Sequence, residues 1–321
     1  MNGEVQERAN EEAADRVEFR RAILAGLARR PRGIPAKFLY DSRGSALFDQ
    51  ICDLPEYYLT RTETGILRRH AADIARRAGP GRALIEFGSG SSVKSRLLLD
   101  ALVGLVSYSP IDISRRHLDE TAARLRRDYP ALAIEPLCGD YMEIASLPPI
   151  AGTAPRLGFF PGSTIGNLEP HEARTFLRGA RRLLGDGAAL VLGVDLQKDH
   201  KRLHDAYNDA AGVTAEFSLN LLHRMNRELA ATFDVGAFVH DAFYNPQEGR
   251  IEIYIRSLRV QSVSVAGRTF DFAEGERIHS EYSYKYDFDG IHELAVSGGF
   301  GVAETWLDDA EDFAVVFMTV A

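Results

Sequence analysis

Apolar positions recur at helical spacing over residues 14–30, where Val17, Ile23, Leu24 and Leu27 share one side and arginines occupy much of the rest. That pattern predicts an amphipathic helix, punctuated by Gly33 and Pro35. A loop-rich stretch with many aromatics, "KFLYDSRGSALFDQICDLPEYYLTRTE", follows, and Thr60 with Glu63 has the spacing of a capping box, predicting a helix start there. Beyond it the pattern alternates. Short apolar runs predict strands at 82–87, 106–112, 132–137, 156–161 and 188–195, with helices at 92–102, 114–128 and 170–184 between them. Strands alternating with helices predict a parallel α/β sheet covered on both faces. Residues 200–285 break the rhythm. They begin helical and continue as "RIEIYIRSLRV", "QSVSVAGRTFDF" and "IHSEYSYKY", whose period-two alternation reads as antiparallel strands. The final runs, "FGVAETWL" and "FAVVFMTVA", predict an antiparallel pair that closes the sheet. Two domains follow: 61–199 with 286–321 forming the sheet, and 1–60 with 200–285 forming a second α+β unit.

Composition narrows the function classes. The chain has 321 residues, 45% of them hydrophobic, enough for one large core or two medium ones. A formal net charge of -8 disfavours a general phosphate-backbone binder, so no nucleic-acid partner is expected. Two cysteines, Cys52 and Cys138, are too few for a disulfide framework and fit a reducing compartment. No apolar run reaches transmembrane length, and the acidic N-terminal stretch is unlike a secretory or transit segment. The expectation is a cytoplasmic protein with no membrane partner, taken as a monomer.

The candidate chemistry starts at "ALIEFGSGSSVKS", a strand, a glycine turn and a helix start. A P-loop fails at Val93, where the pattern needs a glycine, and the dinucleotide pattern fails at the same residue. Glu86 opposes both, since a carboxylate repels phosphate. S-adenosylmethionine fits better, because its ammonium and sulfonium welcome an acid and it has no phosphates to cradle. Glu86, Gly88, Ser89 and Gly90 are therefore assigned to the turn that binds it. Asp112 at the end of the second strand suits the ribose diol, and Asp140 with Tyr141 after the third suits the adenine. The competing reading is a glycine turn that binds nothing, with Asp112 or Ser114 as a helix cap. A second polar loop, "FFPGSTIGNLEP", follows the fourth strand. Its Asn167 offers both a donor and an acceptor for an amino acid's ammonium and carboxylate, or else caps the helix near Pro170.

Taken together, "LPEYYLTRTE", "EFGSG", "GSTIGN", "AYNDAAGVTAEFS" and "SEYS" resemble the L-histidine Nα-methyltransferases of ergothioneine biosynthesis, from about Pro35 to the end of the chain. The resemblance implies a class I methyltransferase (Rossmann-like) sheet with a substrate-binding second domain. It implies S-adenosylmethionine-dependent trimethylation of the α-amino group of L-histidine to hercynine, with S-adenosylhomocysteine as co-product and no metal. By matched motif, Asn167 and Tyr207 grip the substrate's amino and carboxylate groups, with Gly162 beside them through its backbone. Tyr57 faces the imidazole, Thr214 reaches it through water, and Glu281 with Ser283 recognises the ring. Tyr40 stands near the amine and is the candidate to take its proton. Gly88, Lys94, Asp112, Asp140 and Tyr141 fall at cofactor positions.

Strand periodicity supports part of this, since it places Glu281 and Ser283 on one face and Tyr282 and Tyr284 on the other. The alternative for that face is a solvated one carrying Glu281, Ser283 and Lys285. Transfer from a sulfonium is an in-line displacement on a neutral amine, so alignment supplies much of the rate. A growing cation suits walls such as Tyr40, Phe48 and Tyr57. His200 and His204, four apart, have metal-ligand spacing, but no third ligand follows and Lys198, Lys201 and Arg202 make the surroundings cationic. The rival functions are methylation of another aromatic amine, a non-catalytic cofactor-binding protein and, more distantly, a nicotinamide enzyme.

Overall fold

The computed structural model describes residues 2–90, 93–147 and 152–320, with backbone alone for 2–13. In chain order the elements are α1 (Asn2–Ala28), β1 (Arg32–Gly33), α2 (Ser42–Cys52), α3 (Tyr58–Ala78), β2 (Ala83–Phe87), α4 (Val93–Ala101), β3 (Ser107–Asp112), α5 (Arg115–Asp128), β4 (Ala133–Ile134), β5 (Leu137–Cys138), β6 (Arg156–Phe160), α6 (Pro170–Leu184) and β7 (Ala189–Asp195). They continue as α7 (His200–Asp205), α8 (Val213–Leu229), β8 (Phe238–Asn245), β9 (Arg250–Ser257), β10 (Gln261–Val265), β11 (Arg268–Phe272), β12 (Arg277–Tyr284), α9 (Phe288–Gly298), β13 (Phe300–Leu307) and β14 (Phe313–Val320).

Two compact units emerge. The larger holds Asp49–Tyr207, Tyr244–Ile251 and Tyr282–Ala321, and the smaller holds Met1–Phe48, Asn208–Phe243 and Glu252–Glu281. Residues 49–60, 200–207, 244–251 and 282–285, assigned from sequence to the substrate side, fall in the larger unit. The reason is local bonding. The Tyr58 hydroxyl donates to Asp195 at 2.9 Å, and the Lys285 ammonium donates to Tyr207 at 2.8 Å.

The larger unit is built on the sheet β13-β14-β7-β6-β2-β3-β4, with β5 also paired to β3. Strands β7, β6, β2, β3 and β4 run parallel, and β14 inserts antiparallel between β7 and β13. The chain leaves β2 toward β3 on one side and returns to β6 on the other. The carboxyl end of β2 is therefore the switch point where open α/β sheets bind ligands. Helices α6 and α9 cover one face, where Phe176, Leu177, Leu294 and Ala295 pack on Ile85, Leu192, Val194 and Val316. Helix α3 lies on the other. A methyl group on Gly193 of β7 would stand 2.0 Å from the Glu63 carboxylate of α3.

Several expectations are corrected here. Helix α3 starts at Tyr58 with Tyr57 at its N-cap and no side-chain cap, so Thr60 and Glu63 form no capping box. The third strand is split into β4 and β5, both parallel to β3, because Pro136 between them has no N–H to give the ladder. On α1 Val17 is exposed, and Phe19, Ile23 and Leu27, spaced by four, form the buried stripe. Helix α2 falls in the stretch expected to be loop-rich, and strands β8 and β1 and helix α9 were not expected either. Among them, β1 pairs parallel with β12, Arg32 against Ile278.

In the smaller unit β10 and β11 form the antiparallel hairpin expected from "QSVSVAGRTFDF". Phe233, Phe238 and Phe272 pack together with ring centroids 5.4–6.1 Å apart.

Candidate functional site

The glycine turn after β2 faces β3. The N–H groups of Gly88 and Ser89 both donate to the Ile111 carbonyl, at 2.9 and 3.1 Å, and that of Gly90 donates to Asp112 Oδ2 at 3.0 Å. All three amides are committed inside the protein, so among the described residues the turn offers no nest of N–H groups to a phosphate. Gly88 and Gly90 have φ of +73° and +47°, where a side chain is strained, and a Cβ on either would meet nothing within 4 Å among the described residues. Open space therefore lies over the turn. Ser89 Oγ is buried there without a hydrogen-bond partner among the described residues. An orphaned hydroxyl beside a glycine turn suits a polar, phosphate-free ligand. Asp112 also accepts from the Ser114 N–H at 2.9 Å, while Ser114 makes no side-chain cap of its own on α5. Asp140 accepts from the Met142 N–H at 2.9 Å. Tyr141 packs edge-on against Phe160 and Phe176, at 5.3 and 5.5 Å.

Glu86 is wholly buried. Its Oε2 accepts from Ser95 Oγ at 2.6 Å and from the Tyr108 hydroxyl. Burial pushes its pKa up to about 8, although both hydroxyls and the nearby Lys94 work in the opposite direction. Near neutral pH the group thus leans to its uncharged form, which qualifies its expected role as a ready counter-charge.

The "GSTIGN" loop is pinned from two sides. Glu63, buried on α3, accepts from the Gly162 N–H at 2.8 Å and from Lys94 Nζ at 2.5 Å. One carboxylate so ties the start of α4 to the loop after β6. The Ser163 hydroxyl accepts from the Asp195 N–H at 2.9 Å. Ser163 sits in the left-handed region, with φ of 55°. A Cβ on Gly166 would lie 2.6 Å from the Tyr284 carbonyl, so only glycine lets the 3-10 turn Thr164–Asn167 approach the end of β12. Asn167 does not cap α6. Glu169 does, in a capping box with Glu172. The Gly162 N–H belongs to Glu63, so any contact of this residue with a substrate falls to its carbonyl.

Beside that loop lies a buried ionic cluster. Asp195, at the end of β7, receives the Tyr58 hydroxyl, the Lys198 ammonium and, at 2.7 Å, Lys285 Nζ. Lys285 also donates to the Tyr207 hydroxyl and to Ser283 Oγ, both at 2.8 Å, and those two oxygens are 2.8 Å apart. Tyr57 packs edge-on against Tyr207, at 6.2 Å. Burial works to raise the Asp195 pKa, but the two ammonium groups hold it below the usual carboxylate range. Burial pushes Tyr58 far above the usual tyrosine range, with Asp195 adding to the effect.

The remaining predicted residues belong to the smaller unit. Tyr40 packs against Phe48 and Phe217, at 5.6 and 5.4 Å. Thr214 lies in the first turn of α8, where its N–H donates to Asp209 at 2.9 Å. Glu281 is 7% exposed and Ser283, two residues on, is 3% exposed, so that strand face is not a solvated one.

The structure thus brings Tyr57, Gly162, Asn167, Tyr207 and Ser283 into one neighbourhood of the larger unit, and it sets Gly88, Ser89, Gly90 and Asp112 around one turn. Sequence reasoning missed Glu63, Tyr58, Asp195 and Lys285. A charged residue ending an otherwise apolar strand, "ALVLGVD", was the available signal for Asp195. Among the described residues no three His, Cys, Asp or Glu side chains gather as a metal site. His200 packs on Tyr244 and His204 lies beside Asp205.

Comparison with known proteins follows the same lines. The family model for SAM-dependent, histidine-specific methyltransferases matches residues 19–320. The histidine N-alpha-methyltransferase of Mycolicibacterium smegmatis is 43% identical over 96% of this chain and 97% of its own length. That of Mycobacterium tuberculosis is 41% identical over 95% of each. Ergothioneine biosynthesis protein 1 of Neurospora crassa is 33% identical over 86% of this chain and 32% of its own. The chain belongs to the SAM-dependent, histidine-specific methyltransferase family.

Proposed function

We propose that this chain methylates the α-amino group of L-histidine three times with S-adenosylmethionine, giving hercynine for ergothioneine biosynthesis. The likeness to two histidine N-alpha-methyltransferases over 95–96% of the chain carries the reading. S-adenosylmethionine, when bound, supplies the sulfonium-borne methyl group. Gly88, Ser89 and Gly90 give it room, Asp112 accepts its ribose hydroxyls, and Asp140 and Tyr141 contact its adenine. Lys94 keeps its orientation through Glu63.

Asn167 and Tyr207 hold the amino acid's ammonium and carboxylate, and Ser283 and Glu281 accept or donate at the imidazole edge. A carboxylate is a strong acceptor for a ring N–H, so a competitor without that donor leaves Glu281 unmatched, which favours histidine. Tyr57 and Thr214 complete the contacts to the ring. Tyr40 stands by the amine, and with Phe48 it offers aromatic faces to a nitrogen that grows more cationic with each methyl. The reaction is a displacement on a neutral lone pair, so the residues' main work is alignment and exclusion of water.

The test is direct. Purified protein is incubated with S-adenosylmethionine and an equimolar pool of the standard amino acids, and products are read by mass spectrometry. Trimethylated histidine as the sole product is expected. A different methylated amine would overturn the substrate assignment, and no product from a protein that still binds the cofactor would overturn catalysis.

A further inference from the structure

Glu63 lies wholly buried on α3, and two parts of the larger unit that are far apart in sequence meet on its carboxylate. From α4 it receives Lys94 Nζ, at 2.5 Å on Oε2. From the loop after β6 it receives the Gly162 N–H, shared between Oε2 at 2.8 Å and Oε1 at 3.1 Å. There is no slack behind it. A Cβ on Gly193 would stand 2.0 Å from Oε1 and 3.2 Å from the Gly162 nitrogen, so carboxylate, loop and β7 are closely packed. A displacement of the carboxylate is carried into the loop.

The loop needs that hold. Gly162 and Ser163 are consecutive left-handed residues, with φ of 79° and 55°, and a serine there is held by its surroundings rather than by preference. Two bonds to other elements hold the pair: the Gly162 N–H to Glu63, and the Asp195 N–H to Ser163 Oγ. Lys94 is the outer end of the link. Its side chain is 16% exposed, and among the described residues it spends one of its three N–H bonds, on Glu63. A ligand anion can take a second N–H while the ion pair stays intact.

We propose that Glu63 is a positioning residue that couples α4 to the "GSTIGN" loop, so that cofactor and amino acid each bind more tightly when the other is present. The inference rests on the reading above, in which Lys94 serves the cofactor and the loop serves histidine, and it adds how occupancy of one side reaches the other. Lys94 is immobilised when it donates to the cofactor's carboxylate, Glu63 is immobilised with it, and Gly162 and Ser163 are fixed before histidine arrives. The ordering cost is then met once for two ligands, which makes their binding cooperative. Glu63 itself touches neither ligand.

The test is a binding cycle by isothermal titration calorimetry, with S-adenosylhomocysteine as the probe so that no turnover occurs. In wild type the Kd of L-histidine is expected to fall about fivefold or more when S-adenosylhomocysteine is saturating, and the Kd of S-adenosylhomocysteine to fall by the same factor when histidine is. Glu63→Gln keeps an acceptor for the Gly162 N–H and loses the ion pair with Lys94. Its factor is expected to drop toward one while each ligand still binds alone. The factor is a ratio within one protein, so a loosened fold that weakens both measurements alike does not mimic this result. Lys94→Gln keeps a donor for Glu63 and loses the charge that draws the cofactor's carboxylate; it carries the same expectation and serves where Glu63→Gln does not fold. A wild-type factor of one, or an undiminished factor in either folded variant, overturns the proposal and leaves histidine methylation standing. Wild type that binds S-adenosylhomocysteine but no histidine overturns the histidine reading and the proposal with it.

Discussion

Glu86 and Asp195 end or nearly end two strands of one sheet, and both are almost completely removed from water, at 1% and 0% exposure. Their chemistry differs because their partners differ. Glu86 meets neutral hydroxyls from Ser95 and Tyr108, and burial pushes it up to about 8. Asp195 meets two ammonium groups and stays ionised. Burial alone therefore does not decide the charge of a carboxylate; the charge of its donors does. One carboxylate is a polar joint that can hold or lose a proton near neutral pH. The other is a fixed anion that organises Tyr58, Lys198 and Lys285.

The largest test of that contrast is Asp195→Asn. It leaves two buried ammonium groups without their counter-charge and should cost about 3–5 kcal/mol of stability, read by urea denaturation. Gly193→Ala should come next, at about 1–3 kcal/mol, because its methyl would lie 2.0 Å from Glu63 Oε1 and force that carboxylate off Gly162 and Lys94. Thermal unfolding measures it, and a loss near zero would show that Glu63 has room to move. Gly90→Ala meets no neighbour among the described residues, so the cost expected is that of its left-handed backbone, about 1–2 kcal/mol, read by thermal unfolding.

Glu86→Gln is the smallest in size and sharpest in sign. The native carboxyl keeps its proton up to about 8, whereas the unfolded one loses it from about 4.5. The native state binds the extra proton in that window, so wild-type stability from this group falls as pH rises from 4.5 to about 8. Glu86→Gln should flatten that slope in melting curves taken across the window. An unchanged slope would mean that Glu86 is ionised in the native protein.

How much of this was legible in the sequence follows from the distance over which each feature is specified. The alternating strands and helices from β2 to β7, the glycine turn and the terminal antiparallel pair are written in local periodicity and were recovered within a few residues, apart from the split third strand. Asp112 was placed at the end of its strand because that is a position periodicity locates. Glu63 was read as a cap because Thr60 stands three residues before it. Its true partners are Gly162 and Lys94, 99 and 31 residues away. Lys285 fitted a solvated face in the pattern of "SEYSYKY", since alternation reports which residues share a face and not what that face meets. The short β1 and the parallel sense of its pairing with β12 have no local signature in two residues.

By itself, then, the sequence determined the α/β class, the phosphate-free character of the turn and the motifs that mark the family. Val93 and the two glycines sufficed for the turn, because φ and close approach are properties of single residues. The protonation of Glu86, the anchoring of the "GSTIGN" loop by Glu63 and Ser163, and the Asp195–Lys285 cluster were decided only by the tertiary structure. Tyr58 and Lys285 reach Asp195 across 137 and 90 residues of chain, and a charge's state depends on donors and solvent that only the folded chain brings together.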